Sequence, residues 1–482
     1  MNYGIVIKVL GIILLIEALL MSPSIFISYA YGGDAHHSFI WTIVVMVILG
    51  ILMAKLRRKN DHHIRAKDGI VIVALGWVMI SLFGAIPLWT SGSVPTYIDG
   101  VFEIVSGFTT TGASVIANVD GLDKGVLFWR SMTHWIGGMG ILVFTLALLP
   151  ALGVGSLQIF KAESPGPVAG KIVPRMKDTA RVLYVSYILL TVLQVIFLLF
   201  GGVNLLEAFV ITFGTVGTGG FGPRNDSLAS YSPYVQVVTG IFMVMSGVNF
   251  SLYFLFFRKK YKEFLEDREL RLYLFFVGSS VVMIAWNLFM TFGGDALVRL
   301  RESFFQVSSI MTTTGYSTVD FDLWPSFSKL ILFFLMFVGG SAGSTAGGMK
   351  VIRIMIVLKL IKREVSKIFH PRALIPIKVG GKIVSNEIIA RINSFTAIHL
   401  LIFVIGTLVV SLEGGNMESS MSAVAATLNN IGPGFGAVGP TVTFAHYSAF
   451  TKVFLSLVML LGRLEHFTII ALLVPKSWTK ES

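Results

Sequence analysis

Apolar runs of about 20 residues recur from one end of this 482-residue chain to the other, each long enough to cross a roughly 30 Å hydrocarbon core. Full-length spans fit at roughly 4–30, 38–56, 69–90, 125–152, 179–202, 233–257, 271–292, 326–362 (interrupted), 388–412 and 448–474. Only 13% of the residues are charged and 54% are hydrophobic, whereas a soluble domain carries about a quarter charged. These features define an all-α polytopic membrane protein. With no cysteine, disulfides and thiolate metal sites are excluded.

The net charge of +12 resolves into a topology signal and not a nucleic-acid one. Basic residues fill alternate loops: Lys55, Arg57, Arg58, Lys59, Arg65 and Lys67; Lys171, Arg175, Lys177 and Arg181; Arg258, Lys259, Lys260 and Lys262; and the stretch from Lys350 to Arg391. Short loops rich in Lys and Arg stay in the cytoplasm. Ten crossings then put both termini there, in agreement with Lys476 and Lys480. The first apolar run, to about Tyr31, reads as a retained span without a cleavage site. The opposite loops carry Asp99, Glu103, Asp120, Asp123, Glu207, Asp226, Glu302, Asp320, Asp322, Glu413 and Glu418. Such acidic loops raise the local concentration of cations.

Four apolar segments, near 98–110, 204–216, 300–313 and 418–430, are too short to span and suit re-entrant helices. Each lies between two long runs on the acidic side, so a unit of long helix, short helix, loop and long helix occurs four times. Aligned on one glycine, the loops read Phe108-Thr109-Thr110-Thr111-Gly112-Ala113, Thr215-Val216-Gly217-Thr218-Gly219-Gly220, Met311-Thr312-Thr313-Thr314-Gly315-Tyr316 and Leu428-Asn429-Asn430-Ile431-Gly432-Pro433. Phe102, Phe209 and Phe305 sit at matching positions ahead of the first three glycines. The expected divisions are an N-terminal hairpin, 1–66, and units at 67–160, 161–260, 261–370 and 371–482.

Non-helical backbone at membrane depth must line a cavity or be packed in protein, so four such loops are expected to converge on one axis. Rings of backbone carbonyls replace the hydration shell of a potassium ion, and a glycine lets the strand adopt positive φ. No carboxylate falls within the aligned core of any loop, which disfavours calcium or magnesium. The candidate ion ligands are therefore Thr110, Thr111 and Gly112; Gly217, Thr218 and Gly219; Thr313, Thr314 and Gly315; and Asn430, Ile431 and Gly432. At the starts of the short helices, Asp99, Glu207, Glu302 and Glu418 complement the positive helix ends, and the negative ends then face the cation. One T-T-T-G alone reads as a turn after a helix; four in the same slot read as a filter.

Two further features concern control. Gly339-Gly340-Ser341-Ala342-Gly343-Ser344-Thr345-Ala346-Gly347-Gly348 interrupts a span, and each glycine costs a helix interior about 1 kcal/mol. It reads as a flexible gate, the alternative being close helix packing by small residues. It is not a phosphate-binding loop, because Lys350 follows Met349 and the spacing fails. Arg463 lies at mid-span, where charges face a bundle interior or a cavity. It reads as a barrier to cations, or as the partner of some other buried carboxylate, since Glu465 two residues on lies about 200° around the helix and is not a same-face partner. Gly137-Gly138-Met139-Gly140 and Ser246-Gly247-Val248-Asn249 are hinge or packing candidates. The histidines, His62 and His63 among them, read as solvated.

Along essentially its whole length the chain resembles the TrkH/TrkG members of the TrkH–TrkG–KtrB–HKT superfamily of potassium transporters. The residues that carry the resemblance are Ser106 through Ala113, Trp135 through Gly140, Gly339 through Arg353, Thr427 through Gly434 and Gly462 through Glu465. The N-terminal hairpin favours the TrkH branch over KtrB. The resemblance implies a channel-like, homodimeric subunit in a bacterial inner membrane, docked on a cytoplasmic ring of TrkA-type nucleotide-binding subunits, with the nucleotide on that partner and no organic cofactor here. It also implies that the glycine-rich break and Arg463 restrict the pore. In plant relatives a serine at the first filter glycine accompanies sodium transport, so Gly112 implies potassium selectivity. Gly217-Thr218 and Tyr316 depart from the family's common residues without removing a carbonyl. Against this channel reading stands a secondary transporter coupling potassium to protons or sodium, for which Glu17 is the one intramembrane candidate. Nothing in the sequence supports an enzyme: there is no nucleotide motif, metal cluster or nucleophile–base pair.

Overall fold

The computed structural model describes residues 2–55, 66–140 and 176–473. The basic residues Arg57, Arg58, Lys59, Arg65, Lys171 and Arg175, together with His62, His63, Lys476 and Lys480, lie outside the described residues, as does the second half of the span expected at 125–152. Helices α1 (Tyr3–Ala30) and α2 (His36–Lys55) form the N-terminal hairpin, packed closely against each other. The remaining helices follow as α3 (Ala66–Thr90), α4 (Tyr97–Phe108), α5 (Lys124–Gly138), α6 (Met176–Phe200), α7 (Leu205–Val216), α8 (Pro233–Ser246) and α9 (Phe250–Phe257). Then come α10 (Tyr261–Leu265), α11 (Arg268–Phe292), α12 (Ala296–Met311), α13 (Ser326–Val338) and α14 (Val351–Phe369). A two-stranded hairpin, β1 (Lys378–Val379) and β2 (Lys382–Ile383), precedes α15 (Asn386–Ser411), α16 (Met417–Leu428), α17 (Ala449–Arg463) and α18 (Phe467–Leu473). Six of these helices are long and apolar enough to cross a membrane.

The short helices are α4, α7, α12 and α16. Each begins at an Asx or Thr cap: Thr96, Asn204, Asp295 and Asn416 accept a hydrogen bond from the first turn. Asp99, Glu207 and Glu418 occupy first turns as expected. Glu302 does not. The third short helix starts at Ala296, earlier than the sequence pattern indicated, because Asp295 caps it; Glu302 falls a turn later, 2.9 Å from Arg299.

Among the described residues the helix that follows each loop ends or bends at a glycine-rich or left-handed segment, whereas only the span at 326–362 was expected to be interrupted. α5 ends at Gly138, α13 at Val338 and α17 at Arg463, and α8 meets α9 at a 96° bend. Uninterrupted spans at 233–257 and 448–474 are therefore corrected. The breaks have local causes. Gly137 and Gly138 lie so close to Phe108 and Gly217 that a β-carbon on either would collide with backbone. At the fourth break Glu465 and His466 are both left-handed, at φ 56° and 50°. That turn swings Glu465 off the helical path and onto Arg353, 2.6 Å away.

Candidate functional site

The four loops meet in one place. In each, three successive residues repeat a single hydrogen-bond pattern onto the end of the preceding short helix. The residue that turns left-handed donates three positions back: Thr110 to Gly107, Thr218 to Thr215, Thr313 to Ile310 and Asn430 to Thr427. Its successor donates five back: Thr111 to Ser106, Gly219 to Gly214, Thr314 to Ser309 and Ile431 to Ala426, at 2.7–2.9 Å. The left-handed residues have φ of 56–57° in all four loops, and the glycines two positions later have φ of 81°, 82°, 89° and 98°.

Those glycines are Gly112, Gly220, Gly315 and Gly432. The second loop is thus shifted by one residue from the sequence alignment: Gly220 stands where Gly219 was expected, and Gly219 matches Thr111, Thr314 and Ile431. The misalignment arose because the loop offers three glycines and because Phe209 falls in line with Phe102 and Phe305. Phe102 and Phe305 are fully buried, but Phe209 is only partly so.

The corrected register closes a ring. A β-carbon on Gly112 would strike the carbonyl oxygen of Gly219, one on Gly220 that of Thr314, one on Gly315 that of Ile431, and one on Gly432 that of Thr111. Each loop's glycine is the seat for its neighbour's carbonyl, in cyclic order. Only glycine permits both the positive φ and the close approach.

Two cavities flank the ring and share no lining residue. One, of about 230 Å³ on the acidic side, is lined by all four left-handed glycines. The other, of about 110 Å³, is lined by Asn430, the glycine-rich break, Lys350 and Arg463. That break is fully unwound, with Gly339, Gly343, Gly348 and Lys350 at φ of 70–76°, and it touches the other units. The Gly347 amide donates to the Thr313 hydroxyl at 2.6 Å, and the Gly348 amide to the Asn429 carbonyl at 3.1 Å. Ser341 N–H bonds Gly247 at the α8–α9 bend, and the Gly343 carbonyl accepts from Phe250. Gly340 accepts from Val351. Glu269 at the start of α11 accepts from both shoulders of the break, Ala342 at 2.7 Å and Ile352 at 3.2 Å.

Arg463 does face this cavity, and it is also a tie. Its guanidinium donates to Thr345 of the break at 2.8 Å and to Gly137 and Gly138 at the end of α5 at 2.6 and 3.2 Å. The sequence reading missed Lys350, whose ammonium is buried and donates to the Ala346 carbonyl. The available signal was a lysine one residue past the glycine run.

The acidic side holds more cations than the sequence reading allowed. Arg130 pairs with Glu103, Arg224 with Glu207, Lys452 with Asp99, and Lys329 with both Asp322 and Glu418. The negative field there is left chiefly to Asp120, Asp123, Asp226, Asp320 and Glu413. Tyr231 donates to Glu207 at 2.7 Å, and burial together with that carboxylate pushes its phenol up, keeping it a donor. The solvated reading is corrected for three histidines, since His134, His399 and His466 are buried, while His37, His370 and His446 are exposed. No cluster of three or more metal-ligating His, Asp or Glu side chains occurs among the described residues.

A helical membrane protein in which four short helices lead into loops that meet in one place, with a cavity on each side and an unwound segment lining one of them, has the layout of a membrane transport protein. Comparison with known proteins agrees. The TrkH model, described as "Cation transport protein", matches residues 35–480. The chain is 36% identical to the Trk system potassium uptake protein TrkH of Halomonas elongata, across the whole of both chains. It is 35% identical to TrkH of Escherichia coli over 99% of this chain and all of that one. The crystal structure of the potassium transporter TrkH from Vibrio parahaemolyticus superposes with a TM-score of 0.89 at 32% identity, over 99% of this chain and 100% of that chain. The chain belongs to the TrkH family of cation transport proteins, and it is not an enzyme.

Proposed function

We propose that this chain is the potassium-translocating subunit of a Trk-type uptake system, acting as a gated channel in a bacterial inner membrane. The basic loops and both termini face the cytoplasm and the acidic loops face outward. The units divide as read from the sequence, with an N-terminal hairpin over 1–66 and four pore units after it. The carrying observation is the cyclic seating of the Thr111, Gly219, Thr314 and Ile431 carbonyls against the four left-handed glycines. A ring of neutral carbonyl oxygens held by backbone replaces the hydration shell of a weakly hydrated monovalent cation. The short helices direct their carbonyl ends toward it.

Below this filter the segment Gly339–Gly348 is the gate, with Arg463 as its tie and as a fixed positive charge. Opening frees the segment from Thr313, Asn429, Glu269 and Arg463. A homodimer on a cytoplasmic ring of TrkA-like nucleotide-binding subunits is the assembly that the family relationship supports; the nucleotide belongs to that ring.

A coupled transporter is the second reading, and one observation favours it. Glu17 is fully buried, and neither carboxyl oxygen meets a hydrogen-bond partner among the described residues. Its carboxyl lies against Gly84, where a β-carbon would meet it along with Ile104 and Phe108, and it lines neither cavity. Potassium flux into liposomes, measured with and without an opposing proton gradient, separates the two. A channel follows the potassium gradient alone and is indifferent to Glu17→Gln. Flux driven uphill by protons and abolished by Glu17→Gln overturns the channel reading.

A further inference from the structure

At the position whose carbonyl seats against the neighbouring glycine, three loops carry a side chain. The Thr111 hydroxyl bonds that of Thr109 and the Thr314 hydroxyl that of Thr312, each at 2.8 Å, while Ile431 is buried in the core. The second loop has Gly219, with no side chain to anchor it and the freest backbone of the four.

The space beside Gly219 is filled from another unit. A β-carbon on Gly219 would collide with the imidazole of His134, which projects from α5 and is fully buried. The ring makes two backbone bonds: Nδ1 lies 2.7 Å from the Gly107 carbonyl, and Nε2 lies 3.2 Å from the Phe221 amide. A carbonyl only accepts and an amide N–H only donates, so the ring is neutral with its proton on Nδ1. It straps the end of α4 to the loop segment just past Gly220. Phe221 in turn lies 4.2 Å from the His134 ring and 4.2 Å from the Arg130 guanidinium. Arg130 is held by Glu103, which also binds Ser114 and Val115 beyond the first loop.

We propose that His134 is a positioning residue for ion selection: its imidazole stands in for the side chain that Gly219 lacks and holds the Gly219 carbonyl in the ring. The inference rests on the filter reading above. A merely structural histidine changes how much protein folds and how much ion passes in total. A positioning one changes the ratio of potassium to sodium.

The test uses the full-length protein in liposomes, with potassium and sodium uptake measured for His134→Leu, His134→Gln, His134→Asn and, as control, Gly112→Ser. Leucine fills the space but leaves the Gly107 carbonyl and Phe221 amide unpaired, and the potassium-to-sodium ratio falls about tenfold. The glutamine amide offers one donor and one acceptor at imidazole-like separation and retains the ratio. Asparagine, too short to reach both partners, gives an intermediate ratio, which keeps the test decisive should the leucine variant not fold. A wild-type ratio in folded His134→Leu or in His134→Asn overturns the inference. If Gly112→Ser lowers the ratio while the His134 variants do not, only this inference fails; if Gly112→Ser also leaves it unchanged, the filter reading fails and takes the inference with it.

Discussion

Replacing Gly220 with alanine tests the register of the second loop, and with it the geometry of the whole ring. Gly220 has φ of 82°, where an L-residue costs about 1–2 kcal/mol. Its methyl group would also strike the Thr314 carbonyl, which is backbone and has no rotamer to yield. The carbonyl must turn off the axis or the loop must slide, so a total of about 1.4–2.8 kcal/mol falls on the potassium site, a drop in selectivity of about 10- to 100-fold. Gly219→Ala meets a different obstacle. Gly219 is not left-handed, and its methyl would strike the imidazole of His134, a side chain that can be trimmed. In liposome flux, adding Gly219→Ala to His134→Ala should therefore lower the ion ratio no further than His134→Ala alone, because the methyl then meets no imidazole. No trimming of His134 should rescue Gly220→Ala. A wild-type ion ratio in Gly220→Ala, together with a further loss when Gly219→Ala is added to His134→Ala, would refute the one-residue shift.

Three other outcomes follow from the contacts around the gate and the outer rim. Arg463→Ala removes bonds from a cation to three carbonyls, each worth about 1.5–3 kcal/mol, and should raise potassium flux severalfold; unaltered flux in stable protein would sink its role as tie and barrier. Glu269→Ala frees both shoulders of the unwound segment and should raise basal flux, with Glu269→Gln milder because an amide oxygen still accepts; equal flux in all three proteins would show that the bonds do not restrain the gate. Lys452→Ala strands the buried carboxylate of Asp99, 2.7 Å away, and should destabilise the protein by about 3–5 kcal/mol; a melting temperature unchanged from wild type would contradict that.

How much of this was legible in the sequence depended on whether the signal was local. The short helices α4, α7 and α16 lie within a residue or two of the apolar segments read near 98–110, 204–216 and 418–430, because length and polarity define them. The broken helix was legible because five glycines crowd into ten residues. The break after Arg463 was not, for it is made by left-handed Glu465 and His466 with no glycine to mark it, and Arg353, which captures Glu465, is more than a hundred positions away in sequence. The pairing of Asp99 with Lys452 was hidden in the same way. His134 looked like one of several unremarkable histidines, since its partners Gly107 and Phe221 lie on two different units. The second loop was misregistered because three glycines gave the alignment no unique anchor; only the φ values and the cyclic close approaches distinguish Gly220 from Gly219.

The central claim is that four backbone carbonyls from four loops select the ion. The most direct measurement is anomalous diffraction from crystals soaked in rubidium or thallium salts, both surrogates for potassium. Density is expected on the common axis, ringed by the carbonyl oxygens of Thr111, Gly219, Thr314 and Ile431 and absent in sodium alone. Density confined to carboxylates such as Glu17 or Asp120, with none between the loops, would contradict it.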